Sequence, residues 1–225
     1  MSSENQSTLE VYERCAVSYL DGSAKHQQLC PEKEAKKRAW LKDFIRDGLA
    51  GLPKNARLFE FGSGGGEDVE IFCELGYQIT PSDAPDSFLD IMRKKGLNPL
   101  KFNILTDEFP GQYDAIYSWR TLVHLTEDDT KLALRKVYQA LKPGGRYIFN
   151  ILNTTGHNNL DEEWVDFDSD YHLGEKRYFK YWQKATLLNL LQSIGFVPKR
   201  LEIGGGNDSQ RWFYIIVEKP EENRE

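Results

Sequence analysis

The chain has 225 residues, 40% of them hydrophobic and 28% charged, with a formal net charge of −6. That length suits one well-filled core, since single domains run to roughly 200–250 residues, and the acidic balance argues against a chain-wide nucleic-acid-binding face and against large polyanionic substrates. The opening MSSENQSTLE lacks the basic start and apolar run of a secretory signal. Apolar runs such as FYIIV fall far short of the ~20 residues of a membrane helix. Cys15, Cys30 and Cys73 form no Cys-x-x-Cys pair, so zinc and a redox dithiol are not indicated and buried, reduced thiols are expected. These features predict a cytoplasmic chain, monomer or homodimer, with no nucleic-acid or membrane partner.

Two helices are predicted first, over Leu9–Leu20 and Glu32–Leu49. In the second, Trp40, Leu41, Phe44, Ile45 and Leu49 share a face, and Gly51 and Pro53 end it. Its basic cluster, Lys33, Lys36, Lys37 and Arg38, is interleaved with Glu32 and Glu34 and reads as a solvated face. Short apolar runs then alternate with amphipathic segments. Strands are predicted at Arg57–Phe61, Tyr77–Thr80, Leu100–Asn103, Asp114–Trp119 and Arg146–Leu152, and helices at Glu67–Leu75, Ser87–Lys95 and Glu127–Leu141. Thr126 and Asp129 stand at capping-box spacing before the last of these. A helix over Ala185–Ser193 ends at Gly195, and the runs Phe196–Ile203 and Trp212–Glu218 can pair as an antiparallel hairpin at the sheet edge. This alternation predicts an α/β fold with a parallel sheet and crossover helices. No repeat or linker marks a second domain; residues 1–50 read as a helical cap and 51–225 as the core.

The segment from Leu58 to Glu67 runs Leu-Phe-Glu60-Phe-Gly62-Ser63-Gly64-Gly-Gly66-Glu. Its glycines fall where a strand becomes a helix and where backbone must approach a ligand that any Cβ would obstruct. A dinucleotide fingerprint needs glycine or alanine where Glu67 stands, and a carboxylate there faces a pyrophosphate badly, which argues against NAD. Asp83, 21 residues beyond Gly62, follows the second strand, where a carboxylate can accept both hydroxyls of a ribose. Asp86 or Ser87 is expected to cap the next helix, leaving Asp83 to the ligand.

With these motifs in order the sequence resembles the class I S-adenosylmethionine-dependent methyltransferases of the small-molecule type, closely over residues 57–152 and loosely at the C-terminal hairpin. Glu60 to Gly66 matches that family's acidic-x-Gly-x-Gly-x-Gly motif, and Asp83 its acidic residue after the second strand. Asn103-Ile104 matches the turn that holds the adenine amino group. Lys142-Pro143-Gly144-Gly145 matches the turn before the fifth strand. The resemblance implies a Rossmann-like three-layer sandwich whose mostly parallel seven-stranded sheet ends in an antiparallel strand. It also implies S-adenosyl-L-methionine as cofactor, with Ala84 beside Asp83, Ser118, Trp119 and Arg120 at its methionine end, and Tyr12 and Tyr19 closing over it.

Methyl transfer from a sulfonium is an in-line displacement that needs positioning and desolvation, while a base is optional for amines and thiols. The stretch Tyr117–His124 lies at the C-terminal edge of the sheet, where open α/β folds bind ligands. Arg120 is read as a cofactor contact or as the partner of an acidic acceptor group, and His124 as a base or substrate contact. The carboxylate that would hold a divalent metal after the fourth strand is replaced by Trp119-Arg120-Thr121, so no metal ligand is assigned. The long connection 153–180 is read as a lid. Its Trp164, Phe167, Tyr171, His172 and Tyr178 stand among Asp161, Glu162, Glu163, Asp166, Asp168 and Asp170, a mixture that suits a cationic or amine acceptor. The expected activity is metal-independent methylation of O, N or C on a small molecule. Methylation of protein or RNA, or a non-catalytic cofactor-binding subunit, are the alternatives.

Overall fold

The computed structural model describes residues 1–155, 159–166, 175–204 and 211–221. Two helices, α1 (Ser3–Leu29) and α2 (Pro31–Gly48), precede an alternating core. Its elements are β1 (Leu58–Glu60), α3 (Val69–Glu74), β2 (Ile79–Thr80), β3 (Ser82–Asp83), α4 (Asp86–Lys94), β4 (Leu100–Lys101), β5 (Tyr113–Ser118), a 3-10 turn η1 (Leu122–His124) and α5 (Glu127–Ala140). Then follow β6 (Leu141–Asn153), β7 (Glu162–Asp166), β8 (Lys176–Trp182), α6 (Lys184–Ile194), β9 (Val197–Ile203) and β10 (Trp212–Glu218).

Pro81 divides the second strand. The half before it pairs in parallel with β1 and the half after it with β4, because proline offers no N–H to a ladder. Counting the halves as one strand, the order β4, β3/β2, β1, β5, β6, β10, β9 gives seven strands, of which β10 alone is antiparallel to its neighbours. Alternation along each strand feeds two cores. Phe59, Ile116, Tyr147 and Phe149 face the side covered by α5 and α6. Leu58, Ala115, Tyr117, Ile148 and Tyr214 face the side covered by α2 and α3. Burying both faces of a parallel sheet is what makes its strands near-continuous apolar runs. Truncating a fully buried ring such as Phe59 to alanine would cost about 3–5 kcal/mol.

Several boundaries differ from expectation for identifiable reasons. α1 runs through 27 residues, held by side-chain clasps rather than by a wide apolar stripe: Val11, Cys15 and Ala16 are its buried hydrophobics. The helix expected from Glu67 begins at Val69, because the glycine loop turns through Asp68 first. Thr126 does cap α5, its Oγ1 accepting from the Asp129 N–H at 3.3 Å, but the Asp129 carboxylate accepts from the Ser2 N–H instead of closing the box. Neither Asp86 nor Ser87 caps α4. The Ser87 N–H donates to the Glu13 carboxylate of α1, at 3.2 Å to Oε1. Cys30 and Cys73 are exposed and only Cys15 is buried. Gly195 ends α6 in the left-handed conformation, φ +110°, as expected, and β9 and β10 form the predicted hairpin.

The connection 153–180 is not a featureless loop. Its described part is a second antiparallel hairpin, β7 with β8, and β8 runs parallel to the overhanging end of β6 through Leu152↔Tyr181 and Asn153↔Trp182. Phe167, Asp168, Asp170, Tyr171 and His172 lie outside the described residues. Among the described residues no helix is long and apolar enough to cross a membrane.

Candidate active site

Where β1 ends, Gly62, Gly64 and Gly66 all take positive φ, at +70°, +55° and +78°. At Gly62 a Cβ would collide with the Thr121 side chain, whereas at Gly64 it would meet only Glu67 Oε2, at 4.0 Å. The first glycine therefore permits close packing and the second keeps a ligand approach clear. Neighbouring strands fasten the loop. The Ser63 N–H donates to the Ser82 carbonyl at 2.9 Å, and its Oγ accepts from the Ser82 N–H at 3.0 Å. Lys95 Nζ donates to the Gly65 carbonyl at 2.8 Å and pairs with Glu67 at 3.1 Å, a tie that the motif alone does not reveal.

Asp83 closes the loop's other side. Its Oδ2 accepts from the Gly64 N–H at 2.7 Å and its Oδ1 from the Ala84 N–H at 2.8 Å. Burial outweighs these two bonds and pushes the Asp83 carboxyl up to about 6. Each oxygen keeps a lone pair for a further donor. Glu60 is buried at 2% exposure, and its Oε2 has no hydrogen-bond partner. Burial, and then the charge of Asp68, hold its carboxyl well above the ordinary range. Asp68, unremarked in the sequence, accepts from the Tyr117 hydroxyl at 2.6 Å and is likewise raised by burial. Buried carboxylates of one sign, one of them with an orphaned oxygen, form a site that a cationic donor group would complete.

A single cavity of about 1020 Å³ gathers these groups. Tyr12, Tyr19, Glu60, Gly62, Ser63, Gly64, Gly66, Asp83, Ala84, Asn103, Ile104, Trp119, Arg120 and His124 all line it. Ser118 is not in the lining: its hydroxyl is buried and shares a 2.6 Å hydrogen bond with the Tyr147 hydroxyl inside the core. As the last residue of β5 it points to the face opposite Tyr117, a consequence of strand alternation. Asn103 uses its Oδ1 to accept from the Leu105 N–H at 2.9 Å, which shapes the turn beside the cavity. Trp119 stacks on Tyr117 and Tyr214, with centroids 5.7 and 5.3 Å apart. Two members of the basic cluster expected on a solvated face, Lys37 and Arg38, reach the lining, and Arg38 also pairs with Glu70 and Glu74.

Three distant segments meet at His124. Its Nδ1 lies 2.8 Å from the Tyr178 carbonyl, which can only accept, so the ring carries its proton there. Nε2 is thereby left to accept from the Tyr12 hydroxyl at 3.0 Å, whose oxygen accepts in turn from Arg177 Nη1 at 2.7 Å. Burial first, and the Arg177 charge second, pull the His124 pKa down to about 3, so the ring is neutral at physiological pH and a weak base. Burial also raises the Tyr12 hydroxyl, which stays protonated. Arg177 lies over the Tyr12 and Phe179 rings at 5.5 and 5.2 Å. Its role was missed because nothing in the sequence ties residue 177 to residue 12.

Two of the carboxylates expected to make an aromatic and acidic cage are engaged in structure. Glu162 accepts from the Tyr178 hydroxyl at 2.7 Å and Glu163 from the Tyr181 hydroxyl. Among the described residues no group of three or more His, Cys, Asp and Glu is arranged to hold a metal.

Residues 33–200 match the family described as Methyltransferase domain. The ubiquinone biosynthesis O-methyltransferase of Idiomarina loihiensis is 30% identical over 115 residues, 48% of this chain and 45% of that protein. The phosphoethanolamine N-methyltransferase of Plasmodium falciparum is 28% identical over 123 residues, 52% of this chain and 46% of its own. The matched stretch thus spans about half the length of these curated relatives. Among solved structures, the DhpI–SAH complex aligns with a TM-score of 0.71 at 16% identity, covering 98% of this chain and 99% of that one. The 1,6-didemethyltoxoflavin-N1-methyltransferase of Burkholderia thailandensis aligns with a TM-score of 0.64 at 15% identity, covering 92% and 87%. At these identities the structural likeness shows the fold.

Proposed function

We propose that this chain, which belongs to the methyltransferase-domain family, binds S-adenosylmethionine in the cavity and transfers its methyl group to a small-molecule acceptor. The observation that carries this reading is the buried, partnerless Oε2 of Glu60 on the wall of the cavity that also holds the glycine loop and Asp83. An α-ammonium group is the donor that such an oxygen lacks. The free lone pairs of Asp83 suit a ribose diol, and Asn103 with Ile104 and the buried Phe102 suit an adenine. When bound, the cofactor supplies an electrophilic methyl on a sulfonium. The cavity, at the top of the ~300–1,000 Å³ range of small-molecule sites, has room for an acceptor as well.

In this reading the chain's own residues position and exclude water more than they move protons. His124 is fixed in one tautomer by the Tyr178 carbonyl and holds Tyr12 over the cavity, with Arg177 locking the hydroxyl from the other side. The low basicity of His124 suits an acceptor that needs no strong base. Residues 1–50 act as a helical cap, and the β7–β8 hairpin as the lid, clasping α1 through the Tyr178 N–H on Thr8 Oγ1 at 3.1 Å and Arg14 on Glu175 at 3.1 Å. Trp119-Arg120-Thr121 after β5 provides no carboxylate for a metal, so the transfer is proposed as metal-independent. Calorimetry with S-adenosylmethionine, S-adenosylhomocysteine and NAD tests the reading: micromolar binding of the first two is expected, and preference for NAD or binding of neither sulfur compound would overturn it.

A further inference from the structure

Arg120 adopts φ +57°, a left-handed conformation that a side chain of its size rarely takes. The structure holds it there: its N–H donates to Asn150 Oδ1 at 2.6 Å, a buried amide on β6. Strain kept in place by a dedicated buried partner marks a residue whose direction matters. The side chain is exposed on the cavity wall, its guanidinium 5.6 Å from the centre of the Trp212 ring. Arg14, Arg38, Arg46, Arg93, Arg146 and Arg200 each have a carboxylate within ion-pair distance. Among the described residues Arg120, like Arg57, Arg135 and Arg211, has none, and of these Arg120 alone lines the cavity. The neighbouring acid, Asp68, accepts from Tyr117 and feels the Arg120 charge, but it does not come within ion-pair distance.

Resting on the proposed cofactor site, we propose that Arg120 docks an oxyanion of the acceptor, a carboxylate or a phosphate, so that the molecule methylated is anionic. A planar guanidinium backed by an indole presents a rigid fork of donors that matches such an oxyanion bidentately. The anion fills a vacancy in the chain's own pairing rather than competing with an internal acid. This departs from the cationic acceptor suggested by the sequence: Glu162 and Glu163, two carboxylates of that stretch, already accept from tyrosine hydroxyls.

The test titrates the full chain, loaded with S-adenosylhomocysteine, with benzoate, phenyl phosphate and the neutral benzamide, following tryptophan emission, since Trp119 and Trp212 flank Arg120. At least one anion is expected to saturate the signal about tenfold more tightly than benzamide, a gap in line with a charge-assisted pair. Which anion leads distinguishes a carboxylate from a phosphate. Arg120→Met should remove the preference while leaving S-adenosylhomocysteine affinity unchanged. Arg120→Gly should do the same and melt no lower than the parent, since glycine suits φ +57°. Equal binding of benzamide, no anion binding, or a preference retained in both variants overturns the proposal. Parallel loss of S-adenosylhomocysteine affinity also overturns it, for Arg120 would then serve the cofactor's own carboxylate. If the parent fails to bind S-adenosylhomocysteine at all, the proposed function falls instead, and the anion titration of the unloaded chain still reads Arg120.

Discussion

Glu60→Gln keeps the shape of the side chain and removes its charge, and the structure gives the two consequences opposite signs. With the site empty, Glu60 lies at 2% exposure with an unmet oxygen and with Asp68 and Asp83 as like-charged neighbours. Its carboxyl is raised above its ordinary value of 4.5, burial being the first cause. A raised acid contributes stability below its unfolded pKa and loses it as pH climbs through the folded one, so the variant's gain should be absent near pH 4 and grow towards neutrality. If relief of repulsion amounts to about 1 kcal/mol, the melting temperature at neutral pH rises by about 2–4 °C. With cofactor bound the sign reverses: an ion-paired hydrogen bond becomes one from the ammonium to a neutral amide oxygen, a loss of about 1–1.5 kcal/mol, or about 5- to 13-fold in Kd. Calorimetry with S-adenosylhomocysteine and thermal melts across pH 4–8 read both. Unchanged affinity, or a variant that melts lower at neutral pH, would refute the assignment of Glu60 to a ligand.

Four further outcomes are expected. Because Asp83 titrates at about 6 and must be ionised to accept two ribose hydroxyls, S-adenosylhomocysteine affinity should fall about tenfold from pH 7 to pH 5. Asp83→Asn should bind weakly with a flat profile; a steep profile in that variant would assign the titration elsewhere. Gly62→Ala places a Cβ against Thr121 at φ +70° and should cost more than about 1 kcal/mol by urea titration, together with cofactor affinity. Tyr12→Phe leaves His124 Nε2 and Arg177 Nη1 without the hydroxyl between them, and stability should fall by about 1–3 kcal/mol. Activity, once an acceptor is in hand, should survive a chelator, and restoration by magnesium after loss would show a metal role.

The fold and the glycine loop were legible because local chemistry specifies them. Gly62, Gly64 and Gly66 announce a strand-to-helix turn with positive φ, and alternation in runs such as Leu58-Phe59 or Tyr147-Ile148-Phe149 announces a sheet covered on both sides. Where local signals were ambiguous the reading slipped. Tyr77–Thr80 was expected as the second strand, but the ladder covers only Ile79–Thr80, and an unexpected pairing of Ser82–Asp83 with Leu100–Lys101 follows Pro81. Ser118 carries a polar side chain that suits a ligand wall, yet its parity in β5 sends it into the core against Tyr147. Asp86 and Ser87 have cap chemistry, yet the carboxylate that meets the α4 terminus comes from Glu13, more than seventy residues earlier.

The acceptor side follows a different logic, because the groups of its aromatic and acidic stretch are partly engaged within the hairpin itself. Aromatics among carboxylates in one stretch suggest a cage for a cation only if the side chains converge on open space. In this hairpin Glu162, opposite Lys180, reaches diagonally to accept from the Tyr178 hydroxyl, and Trp164, opposite Tyr178, packs edge-on to it. The charges left facing the cavity are set by what the fold does not pair, and pairing depends on segments brought together from 12, 124 and 177. Arg120 illustrates the principle from the other side, since its backbone is held by Asn150 on another strand and its neighbouring acid, Asp68, accepts from Tyr117. A residue's type therefore states what it can bind, while its neighbours' prior commitments decide whether it is available to do so.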